Sequence, residues 1–146
     1  MAKLKEFDDA QRYFTEVYGE LLNMKTSQSL KQIFDKIESF IKGTIDIDKK
    51  NRKEPMSTSQ LRNVFARIKK AKSSDELRLL RPLLAYTSAR QKSEGGKMII
   101  ALLDGLIQDI EPKKEAEPKK DTQVESLKTF AEAIVAYHKY HHPKQS

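Results

Sequence analysis

Ser57-Thr58-Ser59-Gln60-Leu61-Arg62-Asn63-Val64-Phe65-Ala66-Arg67-Ile68-Lys69-Lys70 reads as the start and body of an amphipathic helix. Ser57 and Gln60 have the spacing of a capping box, in which the two side chains satisfy each other's free backbone N–H groups. Thr58 and Ser59 are alternative caps. Leu61, Val64, Phe65 and Ile68 then recur at i, i+3, i+4 and i+7 and define a face that must be buried. Arg62, Asn63, Ala66, Arg67, Lys69 and Lys70 are left on the other face. No acid lies among them, so ion pairs one turn apart do not account for the charge. Ala66 leaves room there for a phosphodiester backbone to approach.

The same helical period extends outward in both directions. Phe7, Phe14, Val17, Tyr18, Leu21 and Leu22 form one stripe, and Leu30, Ile33, Phe34, Ile37, Phe40 and Ile41 a second. Gly43 follows as a C′ residue, and residues 44–56 are expected to be a basic linker. After the 57–71 helix, Lys72-Ser73-Ser74-Asp75 is a turn, with Ser74 or Asp75 capping a helix that carries Leu77, Leu80, Leu83, Leu84 and Tyr86. Pro82 has no backbone N–H and forces a kink or a restart. Met98 to Ile110 is the most apolar stripe and is expected to be central. Glu-Pro-Lys-Lys occurs twice within residues 111–120, a charge-balanced stretch expected to be a mobile linker. A last helix is expected from about Thr122 to Tyr140. No segment alternates with period two alongside a partner, so the expected fold is all-α, a bundle of about five to six helices over residues 1–146 as one domain.

Charge is concentrated rather than spread. Residues 49–92 hold 13 Lys and Arg against three acids, while the flanking segments are slightly acidic and the whole chain is +7. A local basic field of this kind raises the local concentration of a polyanion. Absence of Cys excludes disulfides, thiol nucleophiles and Cys-ligated metals. No apolar run reaches the length of a membrane span or a signal peptide, so a cytoplasmic protein without membrane contact is expected.

Catalytic constellations are not found. His138 and His142 have i, i+4 spacing, but Pro143 disfavours a helical His142, and no carboxylate has ligand spacing to them. A His138 ring lying over the bundle is expected instead, with no metal and no cofactor. Asp8-Asp9, Asp46/Asp48 and Asp104/Asp109 match no motif for metal-assisted hydrolysis. Gly95-Gly96-Lys97 lacks the order of a phosphate loop. Tyr86 is read as a core residue.

Three segments together resemble a known family. They are Ser57-Thr58-Ser59-Gln60-Leu61-Arg62-Asn63, Leu83-Leu84-Ala85-Tyr86-Thr87-Ser88-Ala89-Arg90-Gln91 and Phe130-Ala131-Glu132-Ala133-Ile134-Val135-Ala136-Tyr137-His138-Lys139. In this order and at this chain length they are similar to the small subunit of type III-A CRISPR interference complexes, over roughly residues 56–140. The resemblance implies a helical, non-catalytic subunit that helps form a basic channel for paired guide RNA and target RNA. It implies as partners the backbone and large subunits of the effector complex and further copies of the chain itself. RNA contact is carried over by the resemblance to Arg62 and Arg90, which stand at the family's motif arginines. The charged face of the 57–71 helix and the basic segment after it add Arg67, Lys69, Lys70 and Arg81. Such contacts would touch phosphates without reading bases. Two other readings stand beside this one. Residues 57–91 have the outline of a helix-turn-helix and suggest a DNA-binding regulator, although Pro82 and the leucines suit a buried element better. A protein–protein adaptor would use the same patch on an acidic partner.

Overall fold

The computed structural model describes residues 2–111 and 122–142, which form helices joined by turns and contain no strand among them. The helices are α1 (Phe7–Gln11), α2 (Leu30–Lys50), α3 (Thr58–Lys70), α4 (Ser74–Arg78), α5 (Arg81–Arg90), α6 (Glu94–Asp109) and α7 (Thr122–His141). Five are long and two have five residues each, so the fold is all-α, as the apolar periods predict. Apart from Glu111, the 111–120 linker lies outside the described residues.

Apolarity places α6 at the centre. Every residue from Met98 to Ile107 is buried, and α1, α2, α4, α5 and α7 all touch this helix. Helix α7 packs against both α2 and α3. Phe14, Phe40 and Phe130 meet edge-to-face, with ring centroids 5.4 and 5.7 Å apart, where the N-terminal segment, α2 and α7 converge.

Two expectations about the first 56 residues are corrected. The stripe from Phe7 to Leu22 is not one helix: after α1 the chain proceeds through short 3₁₀ turns at Arg12–Phe14, Tyr18–Glu20 and Met24–Thr26. Phe7, Ala10, Phe14, Val17, Leu21 and Met24 are nevertheless all buried, because near-threefold spacing serves a 3₁₀ path as well as an α-helix.

Gly43 does not end α2. It lies mid-helix because the Tyr13 ring occupies the space a side chain there would need. The helix runs on through residues 44–50, which were expected to be linker. It stops at a Schellman motif, with Lys53 N–H bonded to the Asp48 carbonyl at 2.8 Å and Arg52 N–H to that of Lys49 at 3.1 Å. Arg52 takes the left-handed position usually given to glycine, at φ 58°.

The extra turns have a structural purpose. Asp48, 1% exposed, accepts a 2.6 Å bond from the Ser93 hydroxyl and a 2.8 Å bond from the Glu94 backbone N–H. Its carboxylate thus sits at the N-terminus of α6, where unpaired N–H groups and the helix dipole favour a negative charge. Ser93 itself caps α6 through the Gly96 N–H at 2.7 Å. The two helices approach so closely here that a side chain at Gly95 would collide with the backbone of Thr44.

Candidate nucleic-acid interface

The capping box at the start of α3 is complete. Ser57 Oγ accepts from the Gln60 N–H at 3.1 Å, and the Gln60 side chain accepts from the Ser57 N–H at 3.2 Å. This fixes the rotation of the helix. Leu61, Val64 and Ile68 are buried, and Arg62, Asn63, Ala66, Arg67, Lys69 and Lys70 are exposed. Phe65, expected in the core, is only half-buried. Among the described residues, none of Arg62, Arg67, Lys69 and Lys70 is ion-paired with an acid.

Three of these cations divide between two flanks of α3. Arg67 and Lys70 line an open groove of about 760 Å³ whose other wall is Glu76, Leu79 and Leu80. Lys69 and Phe65 line a second depression towards α7, where Lys25, Lys128, Glu125 and Glu132 join them. Lys25 and Lys128 were missed in the sequence because each lies far along the chain from the basic segment and beside polar neighbours.

The remaining basic residues of the segment differ sharply. Arg81 turns inward: its Nε donates to Asp104 Oδ1 at 3.0 Å, and the Asp104 side chain is 2% exposed. Gln108 donates to the other Asp104 oxygen at 2.9 Å. Arg78 donates to the Ile110 carbonyl, with Asp75 3.6 Å away, and Lys53 pairs with Glu94 at 3.1 Å. That ion-paired hydrogen bond holds the Glu94 carboxyl below its ordinary range.

Arg90 lies outside, not paired with an acid. Its guanidinium donates to the Tyr86 hydroxyl at 3.3 Å and sits 5.5 Å from the centre of that ring. Tyr86, read from sequence as core, is 59% exposed. Helix α5 carries apolar residues around its whole circumference, so the sequence alone gives no rotation for it. The structure places Leu84 and Ser88 inward and leaves Tyr86 and Arg90 out. Arg90 also borders a cleft of about 310 Å³ with Ser57, Gln60, Gln91 and Lys92. The first two resembling segments therefore meet in space.

The third contributes from beneath. His138 is 1% exposed, and its Nδ1 is 2.8 Å from the Thr58 hydroxyl in the first turn of α3. Burial pushes its pKa down to about 4, the neighbouring His142 adds to the drop, and a hydrogen bond with the Met56 backbone opposes it. The ring is thus neutral at neutral pH and joins the end of α7 to the start of α3. His142 is also buried and its pKa also lowered by burial, while His141 Nε2 lies 2.8 Å from Glu38. No group of three or more potential metal ligands occurs among the described residues, and no helix there is long and apolar enough to cross a membrane.

The helix-turn-helix outline is altered by the structure. Residues 57–91 form three helices, α3, α4 and α5. Ser73, rather than Ser74 or Asp75, caps α4 through the Glu76 N–H at 3.1 Å. Pro82 sits in the first turn of α5, where its missing N–H costs nothing.

No curated protein and no solved structure matches the chain. A family model does: the one described as Csm2 Type III-A matches residues 7–144. That span includes all three resembling segments, the capping box of α3 and the histidine that braces it. The chain belongs to the Csm2 Type III-A family and is a small subunit of a type III-A CRISPR complex.

Proposed function

We propose that the chain serves its complex as a non-catalytic subunit that contacts RNA phosphates through Arg62, Arg67, Lys69 and Lys70 of α3 and Arg90 of α5. One observation carries this reading: the exposed face of α3 bears four cations and no acid, and none of the four is ion-paired among the described residues. Cations with no ion partner can neutralise phosphates and release the counterions condensed on the RNA, at little structural cost. Arg81 is left out of the set because Asp104 holds its guanidinium. The ligands are guide RNA and target RNA; sequence is read by their pairing and the chain supplies only charge. The backbone and large subunits and further copies of the chain complete the surroundings, in the cytoplasm.

Salt dependence tests the proposal. The logarithm of RNA affinity should fall linearly with the logarithm of salt concentration, each single-strand phosphate contact adding roughly 0.7 to the slope. Arg62→Ala should lower the slope by about that amount, with little dependence on base sequence. RNA affinity that ignores salt would overturn the reading. Preference for duplex DNA would favour a DNA-binding regulator, and RNA-independent capture of an acidic protein an adaptor.

A further inference from the structure

We propose that Tyr86, held by Arg90, is a stacking platform for an unpaired base of single-stranded RNA. The proposal rests on the phosphate-contact reading and adds a contact that does not depend on charge. Four of the six Phe are fully or nearly fully buried and Phe34 and Phe65 are half-buried, so the interior takes up the phenylalanines and leaves few aromatic rings to solvent. Tyr86 is one of the exceptions, at 59% exposure. It is not simply a loose side chain. Arg90, one turn later on α5, covers part of the ring at 5.5 Å and bonds its hydroxyl at 3.3 Å. The guanidinium thereby restricts the ring while leaving most of its surface open. A restrained aromatic face loses little entropy when a base stacks on it, and every base offers such a face.

The surroundings favour a nucleotide over an apolar protein surface. Arg90 stands between the ring and the cleft lined by Ser57, Gln60, Gln91 and Lys92, with Glu54 as its one acid. A base over Tyr86 would carry its own phosphate towards Arg90 and Lys92, and the polar side chains of the cleft towards its ribose. Tyr140 is also exposed, but among the described residues no cation lies over its ring, and its contact is with His141.

The test titrates the full chain against a short single-stranded oligoadenylate carrying one 2-aminopurine, whose fluorescence is quenched by stacking. Tyr86→Leu should weaken binding by roughly five- to 150-fold and abolish the quenching, with the salt slope unchanged. Tyr86→Phe keeps the ring and should retain most of both signals. Arg62→Ala should do the reverse of Tyr86→Leu, lowering the salt slope and sparing the quenching. Wild-type affinity and quenching in Tyr86→Leu, with the slope still reduced in Arg62→Ala, would overturn stacking and leave the phosphate reading standing. Salt-insensitive binding by the wild-type chain would overturn both. Unchanged RNA binding in Tyr86→Leu with lost association to the other subunits would overturn stacking and make Tyr86 a protein contact.

Discussion

The two ends of α5 carry arginines in opposite settings. Arg81 at the first turn lies part-buried against Asp104, its side chain 19% exposed. Arg90 at the last turn stands in solvent beside Tyr86. Both come from the same basic segment, Arg81 among Leu79, Leu80, Leu83 and Leu84 and Arg90 among Ser88, Gln91 and Lys92. The difference is made by α6, which presents a buried carboxylate to one end of α5 and not to the other. A count of basic residues therefore overstates a binding surface wherever the core contains an acid.

This contrast is open to test, and the largest effect belongs to the inward end. Arg81→Ala leaves the Asp104 carboxylate buried without its ion partner and should cost about 3–5 kcal/mol in thermal or denaturant unfolding. A loss within the error of Arg90→Ala would erase the distinction between the two ends. The same division between inward and outward charge should appear in pH dependence. The folded chain protonates His138 only near pH 4, against 6.5 for the ordinary side chain, so between these values the unfolded state binds more protons. Stability should be full above pH 6.5 and fall as pH drops through this window, by roughly 3 kcal/mol for this group. His142, with its pKa lowered in the same sense, adds to the loss. Replacing His138 with Gln should flatten the profile; an unchanged profile would mean that the ring is not buried in its neutral form.

The two sides of α3 give the smaller effects. Phe65 is half-buried, so Phe65→Ala should cost about 1–2 kcal/mol, well below the loss for a fully buried ring. Arg62→Ala and Arg90→Ala should change stability by no more than about 0.5 kcal/mol while weakening RNA binding. Melting curves and RNA titrations of the same variants separate the two sides. Destabilisation by Arg62→Ala comparable to that of Phe65→Ala would show that the exposed face also holds the fold.

Much of this was legible in the sequence because it depends on neighbours close along the chain. The Ser57–Gln60 box, the Leu61–Ile68 face, the restart at Pro82 and the apolar run of α6 are all local patterns. The core of α7 follows from the spacing of Leu127, Phe130 and Ile134. What escaped depends on residues far apart in sequence. Gly43 reads as a helix end until Tyr13 is seen lying on it. Asp48 reads as a linker acid until Ser93 and Glu94 reach it. Arg81 reads as a free cation because Asp104 is 23 positions away. Tyr86 was placed in the core because Leu83, Leu84 and Ala85 beside it give α5 no polar side from which to read its rotation.

The bond between Asp48 and Ser93 has a further consequence, of chain topology. The charge-rich stretch is residues 49–92, so a single 2.6 Å contact closes the chain at both its borders. The basic segment begins and ends at one point of the bundle, and between them α3 packs on α7 and α4 and α5 on α6. The exposed cations of the segment are free to vary, while the Asp48–Ser93 bond at its base and the buried faces of α3, α4 and α5 hold it in place.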